Sequence, residues 1–292
     1  MSRIQDILAK AERDGTARRT QPTAVATPPA PAAFTPPARV DGTSALDNDR
    51  FIPSPVAAPA PGPVATSVTV TVAAPSGDMR TAVPTLHPLL IAAIDPHSDA
   101  AERYRSIRAR ISHREETTPV RTMMVTSPGA SEGKSITAAN LALTMAQEIQ
   151  RRVVLVDADF RGSSLHRLFG LEGVPGLTEV LAGEATLDDV MIHMPDYRLT
   201  LVPAGRTPQF PTELLASTAM RRAIDSLRGR FDRTIVDTPA VMPLADAGTL
   251  GPLADGVLMV VRAGVTLRPA LDRALAAFDE DKVIGVVLND TN

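Results

Sequence analysis

At 292 residues and a formal charge of −3, the chain has room for one substantial globular domain and a further segment, and its near-neutral balance argues against nucleic acid as the main partner. The absence of cysteine excludes disulfides and thiolate metal sites. No apolar run approaches the roughly 20 residues that span a bilayer, and the first residues carry charges where a signal peptide needs an apolar stretch; a cytoplasmic location is expected.

Residues 1–15 read as a short amphipathic helix: Ser2 can cap it, Ile4, Ile7, Leu8 and Ala11 recur at helical spacing, and Gly15 supplies a stop. On a long tether, such a helix suits docking. Residues 16–85 are rich in Pro and Ala, with prolines such as Pro28, Pro29, Pro36, Pro37, Pro59 and Pro61 arriving without a period. Proline removes backbone donors and the stretch has little apolar surface to bury, so a disordered linker is expected there. The folded domain is expected over residues 86–292.

That domain opens with a charged helix in Asp95–Ser112, starting near Ser98 or Asp99. From Val120 onward short β-rich runs alternate with helical segments: RTMMVT, a helix over about Ser135–Gln150, VVLV, LTLV, RTIV, GVLMVV and VIGVVL. Runs that are apolar without alternation suit strands covered on both faces, and their alternation with helices predicts an α/β fold, a doubly wound, mostly parallel sheet flanked by helices. Ligands bind such sheets at the carboxyl ends of the strands.

Chemistry-bearing residues stand at those ends. After RTMMVT comes the loop Ser127-Pro128-Gly129-Ala130-Ser131-Glu132-Gly133-Lys134-Ser135, then Ile136 and a helix. Backbone N–H groups of residues 129–136 and a helix N-terminus can cradle phosphate, the lysine can reach the β- and γ-phosphates, and the Ser135 hydroxyl can bind Mg²⁺. Pro128 replaces the first glycine of a strict Walker A motif. The chain has only three lysines, Lys10, Lys134 and Lys282, and a slim point charge fits a phosphate cradle better than a guanidinium fork. After VVLV stand Asp157 and Asp159, two carboxylates whose mutual repulsion invites a divalent cation. After RTIV stands Asp237, in the position of a Walker B carboxylate. The five histidines, His87, His97, His113, His166 and His193, show no metal-ligand spacing and are expected as surface or packing residues.

These motifs resemble the bacterial tyrosine kinase (BY-kinase) family of capsular and exopolysaccharide assembly, over about Asp95–Asn289. VTSPGASEGKS resembles its Walker A, VVLVDADFR its Walker A′ and FDRTIVDTPAV its Walker B, with weaker likeness in GLTEVLAG, LVPAGRTPQFPTELL and VVRAGVT. Glu102, Arg105 and Arg108 match the family's E-x-x-R-x-x-R element for subunit contact. The resemblance implies a homo-oligomer joined through those three residues and ATP with Mg²⁺ as cofactors. It implies Lys134, Asp157, Asp159 and Asp237 as catalytic residues and Ser135, Asp159 and Asp237 as metal ligands. Asp157 becomes the base or orienter of the attacking group. It also implies a membrane chain-length-determinant (polysaccharide co-polymerase) partner and a peripheral place at the inner membrane.

Two departures stand out. The family commonly has Pro-Gly where this chain has Ala130-Ser131, and it ends in a tyrosine cluster where this chain ends VVLNDTN, with Tyr104 and Tyr197 its only tyrosines. Self-phosphorylation on such a cluster is therefore not expected. The alternatives are a nucleotide-gated assembly protein without significant kinase activity and a ParA/MinD-type positioning ATPase. The second lysine of the latter's loop is replaced here by Gly129.

Overall fold

The computed structural model describes residues 80–115, 118–171, 173–243 and 246–290. The helix expected over residues 1–15 and most of the expected linker lie outside them.

Among the described residues eight strands form one sheet in the order β1-β4-β5-β3-β6-β2-β7-β8. They are β1 (Arg80–Thr81), β2 (Thr122–Thr126), β3 (Val153–Asp157), β4 (Ile192–Met194), β5 (Leu199–Val202), β6 (Arg233–Asp237), β7 (Gly256–Arg262) and β8 (Val283–Asn289). All pairings are parallel except β4 with β5. β2, β3 and β6 are buried at every position, which is why they read as unbroken apolar runs. The sheet takes in Arg80–Thr81, inside the stretch expected as linker, because β1 pairs with β4 at Arg80↔Ile192 and Thr81↔His193.

Four longer helices cover the sheet: α1 (Asp99–Glu115), α2 (Lys134–Ala146), α3 (Thr218–Arg230) and α4 (Arg268–Leu275). Ser98 caps α1, its Oγ accepting the Ala101 N–H at 3.2 Å, and Ser217 does the same for Met220 in α3 at 3.1 Å. From Ser135 to Ala146, α2 buries every residue except Ile136, so it is the central helix of one layer. It ends four residues before the predicted Gln150, which takes up a left-handed turn (φ 62°).

Two stretches of weaker family likeness come together. Leu177 and Thr178 donate their amides to Pro203 O (2.7 Å) and Ala204 O (2.9 Å). Glu179 accepts from the Gly176 and Arg206 amides at 2.7 and 3.1 Å. Its carboxyl consequently titrates below the usual carboxylate range: burial opposes this, but the Gly176 amide and the Arg206 side chain outweigh it.

Candidate active site

β3, β6 and β2 are neighbours, and Asp157 and Val125 each pair with Asp237 in register. Three strand ends thus deliver the phosphate loop, the Asp157/Asp159 pair and Asp237 to one place, the carboxyl edge of the sheet centre.

The loop is shaped by two left-handed residues, Ser131 (φ 61°) and Gly133 (φ 90°). At Gly133 only glycine fits, since a Cβ there would collide with the Asn289 side chain. Asn289, at the end of β8, donates its amide to Glu132 O at 3.0 Å, and Thr266 donates its hydroxyl to Glu132 Oε1 at 2.7 Å. Ser127 Oγ bonds Gly129 O at 2.6 Å and ties the loop's entry. The carboxyl ends of β7 and β8 therefore brace a loop more than 130 residues earlier in the chain. The Ile136 side chain packs against the core, leaving only its backbone for a ligand.

Lys134 Nζ lies 2.6 Å from Asp159 Oδ2, with both side chains largely buried. Burial alone would lower the lysine's pKa, but Asp237, Asp159 and Asp157 outweigh it and push it up. Asp159 Oδ1 accepts the Arg161 and Gly162 amides at 3.3 and 2.9 Å. Asp157 is fully buried; its Oδ1 accepts the Asp159 amide at 3.1 Å, and its Oδ2 accepts Ser163 Oγ at 2.9 Å and the Leu165 amide at 3.3 Å. Burial raises it to about 6, against those three bonds. Asp237 is also fully buried, and among the described residues neither carboxylate oxygen has a hydrogen-bond partner. Burial raises it to about 8, partly offset by the Lys134 charge and the neighbouring Ser135 side chain.

The predicted loop, Lys134, Ser135, Asp157, Asp159 and Asp237 are thus brought together. Among the described residues no three His, Cys, Asp or Glu side chains converge to hold a metal by themselves. Asp237, with Ser135 beside it, has free ligand capacity, whereas Asp159 is committed to Lys134. Arg161 extends the site: its Nε binds the buried Asp246 at 2.7 Å and its guanidinium reaches Thr212 Oγ1 at 3.2 Å. Asn289, Thr266 and Ser163 escaped the sequence reading. The only signal for the first was its place at the end of an apolar run, where polar residues of parallel sheets meet ligands.

The row Glu102, Arg105 and Arg108 also makes contacts within the chain. Arg105 Nε pairs with Glu102 at 2.7 Å and its guanidinium donates to Pro96 O at 2.6 Å. Arg108 donates to Thr144 O at 2.7 Å, tying α1 to the last turn of α2.

Residues 123–292 match the CobQ/CobB/MinD/ParA nucleotide binding domain family. The tyrosine-protein kinase YwqD of Bacillus subtilis is 35% identical over 202 residues, 68% of this chain and 85% of its own. The chain belongs to the bacterial tyrosine kinase family. The tyrosine-protein kinase CpsD of Streptococcus agalactiae is 32% identical over 194 residues, 65% of this chain and 83% of its own. The match to the tyrosine-protein kinase wzc of Salmonella typhimurium, also 32% identical, spans only 28% of that protein. Among solved structures, the kinase domain of the Escherichia coli tyrosine kinase ETK aligns with a TM-score of 0.65 and 26% identity, over 70% of this chain and 82% of that one. This bacterial tyrosine kinase domain thus has the α/β P-loop fold read from its sequence. Among its described residues no helix is long and apolar enough to cross a membrane.

Proposed function

We propose that this domain binds ATP with Mg²⁺ at residues 129–136 and acts in exopolysaccharide or capsule assembly, alongside a membrane chain-length-determinant partner that holds it at the inner membrane. The observation that carries the reading is the pair of Asp237 oxygens that find no hydrogen-bond partner among the described residues, buried beside Lys134 and Ser135. A buried carboxylate without donors is suited to a hydrated divalent cation brought in with a nucleotide.

Bound Mg²⁺ would neutralise charge on the β- and γ-phosphates. In this reading Ser135 and Asp237 hold the ion directly or through water. Lys134 passes from Asp159 to the phosphates, which releases Asp159 to support the metal. Asp157 takes the proton of the attacking hydroxyl. Glu102, Arg105 and Arg108 form the contact that joins subunits of a homo-oligomer.

The tyrosines favour an acceptor on another chain. Burial raises the Tyr104 pKa, against the opposing effect of the nearby Thr137 and Asn140 side chains; Tyr197 packs against the core. The same observation favours a second reading, in which nucleotide occupancy sets assembly and phosphoryl transfer is weak.

Calorimetry of ATP binding with and without Mg²⁺, followed by mass spectrometry after incubation with ATP-Mg²⁺ and the membrane partner, tests both. Mg²⁺-dependent binding with phosphate on the partner is the expected result. Binding indifferent to Mg²⁺ overturns the Asp237 site, and tight binding with neither ADP release nor a phosphorylated product supports the second reading.

A further inference from the structure

Asp157 is held by a line of side chains that the sequence does not announce. The turn after β3 places the Arg161 and Gly162 amides on Asp159 and the Ser163 hydroxyl 2.9 Å from Asp157 Oδ2. The short helix Leu165–Leu168 begins at once, with the Leu168 amide bonded to Ser164 O at 3.0 Å. On its first turn stands the half-buried His166, whose Nδ1 lies 3.0 Å from Ser163 Oγ.

Counting protons gives the line a direction. A serine hydroxyl has one proton and two lone pairs. With that proton directed at Asp157, Ser163 can only accept from His166, which fixes the imidazole with its proton on Nδ1. Were the hydroxyl to turn towards the ring instead, Asp157 would lose the one side-chain donor it has among the described residues. The terminal torsion of an aspartate is soft, so the direction of this buried carboxylate is set by its donors, and one of them is in turn set by His166.

We propose that His166 is a positioning residue for Asp157: acting through Ser163, it holds the carboxylate in the rotamer that receives the proton of the attacking hydroxyl. This rests on the reading of Asp157 as the base. In that step the O–H bond of the attacking group breaks and its proton passes to Asp157. The oxygen bonds to the γ-phosphorus, and the bond from phosphorus to the ADP oxygen breaks. His166 touches neither nucleotide nor acceptor, and its effect falls on turnover and not on binding.

The test uses the full chain, measuring ADP release at saturating ATP-Mg²⁺ and, separately, affinity for a labelled ATP analogue. His166→Ala is expected to lower kcat roughly tenfold, the size of one hydrogen bond's contribution, with analogue affinity unchanged. His166→Gln, whose amide can donate to Ser163, should recover most of that loss. The double variant Ser163→Ala/His166→Ala should be no slower than Ser163→Ala, because the two act as one unit. A His166→Ala protein with parental kcat overturns the proposal, as does a double variant whose loss is the product of the single losses. Should His166→Ala fail to fold, Ser163→Ala against Ser163→Thr decides: loss in the first and recovery in the second supports the line, and equal turnover in both overturns it. A parent protein that binds ATP-Mg²⁺ but neither releases ADP nor phosphorylates the membrane partner overturns the enzyme reading and the positioning role together. An active parent with an unaffected His166→Ala variant overturns the positioning role alone.

Discussion

Lys134 Nζ is bound by Asp159 Oδ2 at 2.6 Å, so the cation of the phosphate loop already has an anionic partner inside the chain. In the proposed reading a nucleotide must draw it away, and the surrounding aspartates favour the charged ammonium that a phosphate needs.

Lys134→Ala should lower affinity for an ATP analogue by roughly tenfold to a hundredfold, the range for losing one charge-assisted hydrogen bond. It should also lower the melting temperature of the ligand-free protein, because Asp159 and Asp237 lose their cation. Titration of a fluorescent analogue with parallel melts checks both, and unchanged affinity would remove the phosphate-cradle reading.

Stability should fall as pH rises towards the slightly alkaline range. Asp157 and Asp237 are lifted by burial to about 6 and about 8, whereas an unfolded aspartate titrates near ~3.9. Between those values the folded domain holds more protons than the unfolded chain, so raising pH favours unfolding. Asp237→Asn removes the larger contribution, and its melting temperature should gain on the parent's from about pH 5 to about pH 8. A constant difference across that range would contradict the assigned burial.

Ser131→Gly should stabilise the domain. Ser131 sits at φ 61°, a left-handed conformation that costs a residue with a Cβ roughly 1–2 kcal/mol and glycine little. The variant is expected to unfold at higher urea, by up to about 1 kcal/mol, where a serine making compensating contacts would show no gain.

Arg105→Ala and Arg108→Ala should each lose a bond to a backbone carbonyl in isolation, Arg105 the one it makes to Pro96 O. Arg108 binds a carbonyl in the last turn of α2, and losing that bond should reduce stability by about 1 kcal/mol even in a monomer. If the row also joins subunits, both variants should scatter light as smaller species with ATP-Mg²⁺. Survival of the parental assembly in Arg105→Ala would place the contact elsewhere.

The sequence made the centre of the fold legible because β2, β3 and β6 are covered on both faces, which forces unbroken apolar runs, and because chemistry in parallel sheets follows the strand ends. Lys134, Asp157 and Asp237 could be named by that rule alone. β1 and β4 could not: two and three residues, Arg80–Thr81 and Ile192–Met194, are too short to show a period, and β4 runs antiparallel beside β5. Asn289 reads as an ordinary strand end, since nothing local records that β8 returns over Gly133. His166 reads as one of five scattered histidines because its proposed role depends on a turn that brings Ser163 back to Asp157. Such contacts are properties of topology, invisible to residue spacing.

The brace that Asn289 forms over Gly133 gives the site a built-in reporting position. Asp290 follows Asn289 directly, and among the described residues its side chain forms a half-exposed ion pair with Arg262, a kind of contact worth about 0–1 kcal/mol. In a chain with no other thiol, Asp290→Cys would accept a single environment-sensitive dye next to the phosphate loop. Its emission would follow nucleotide arrival and departure in real time without altering any residue assigned to the chemistry.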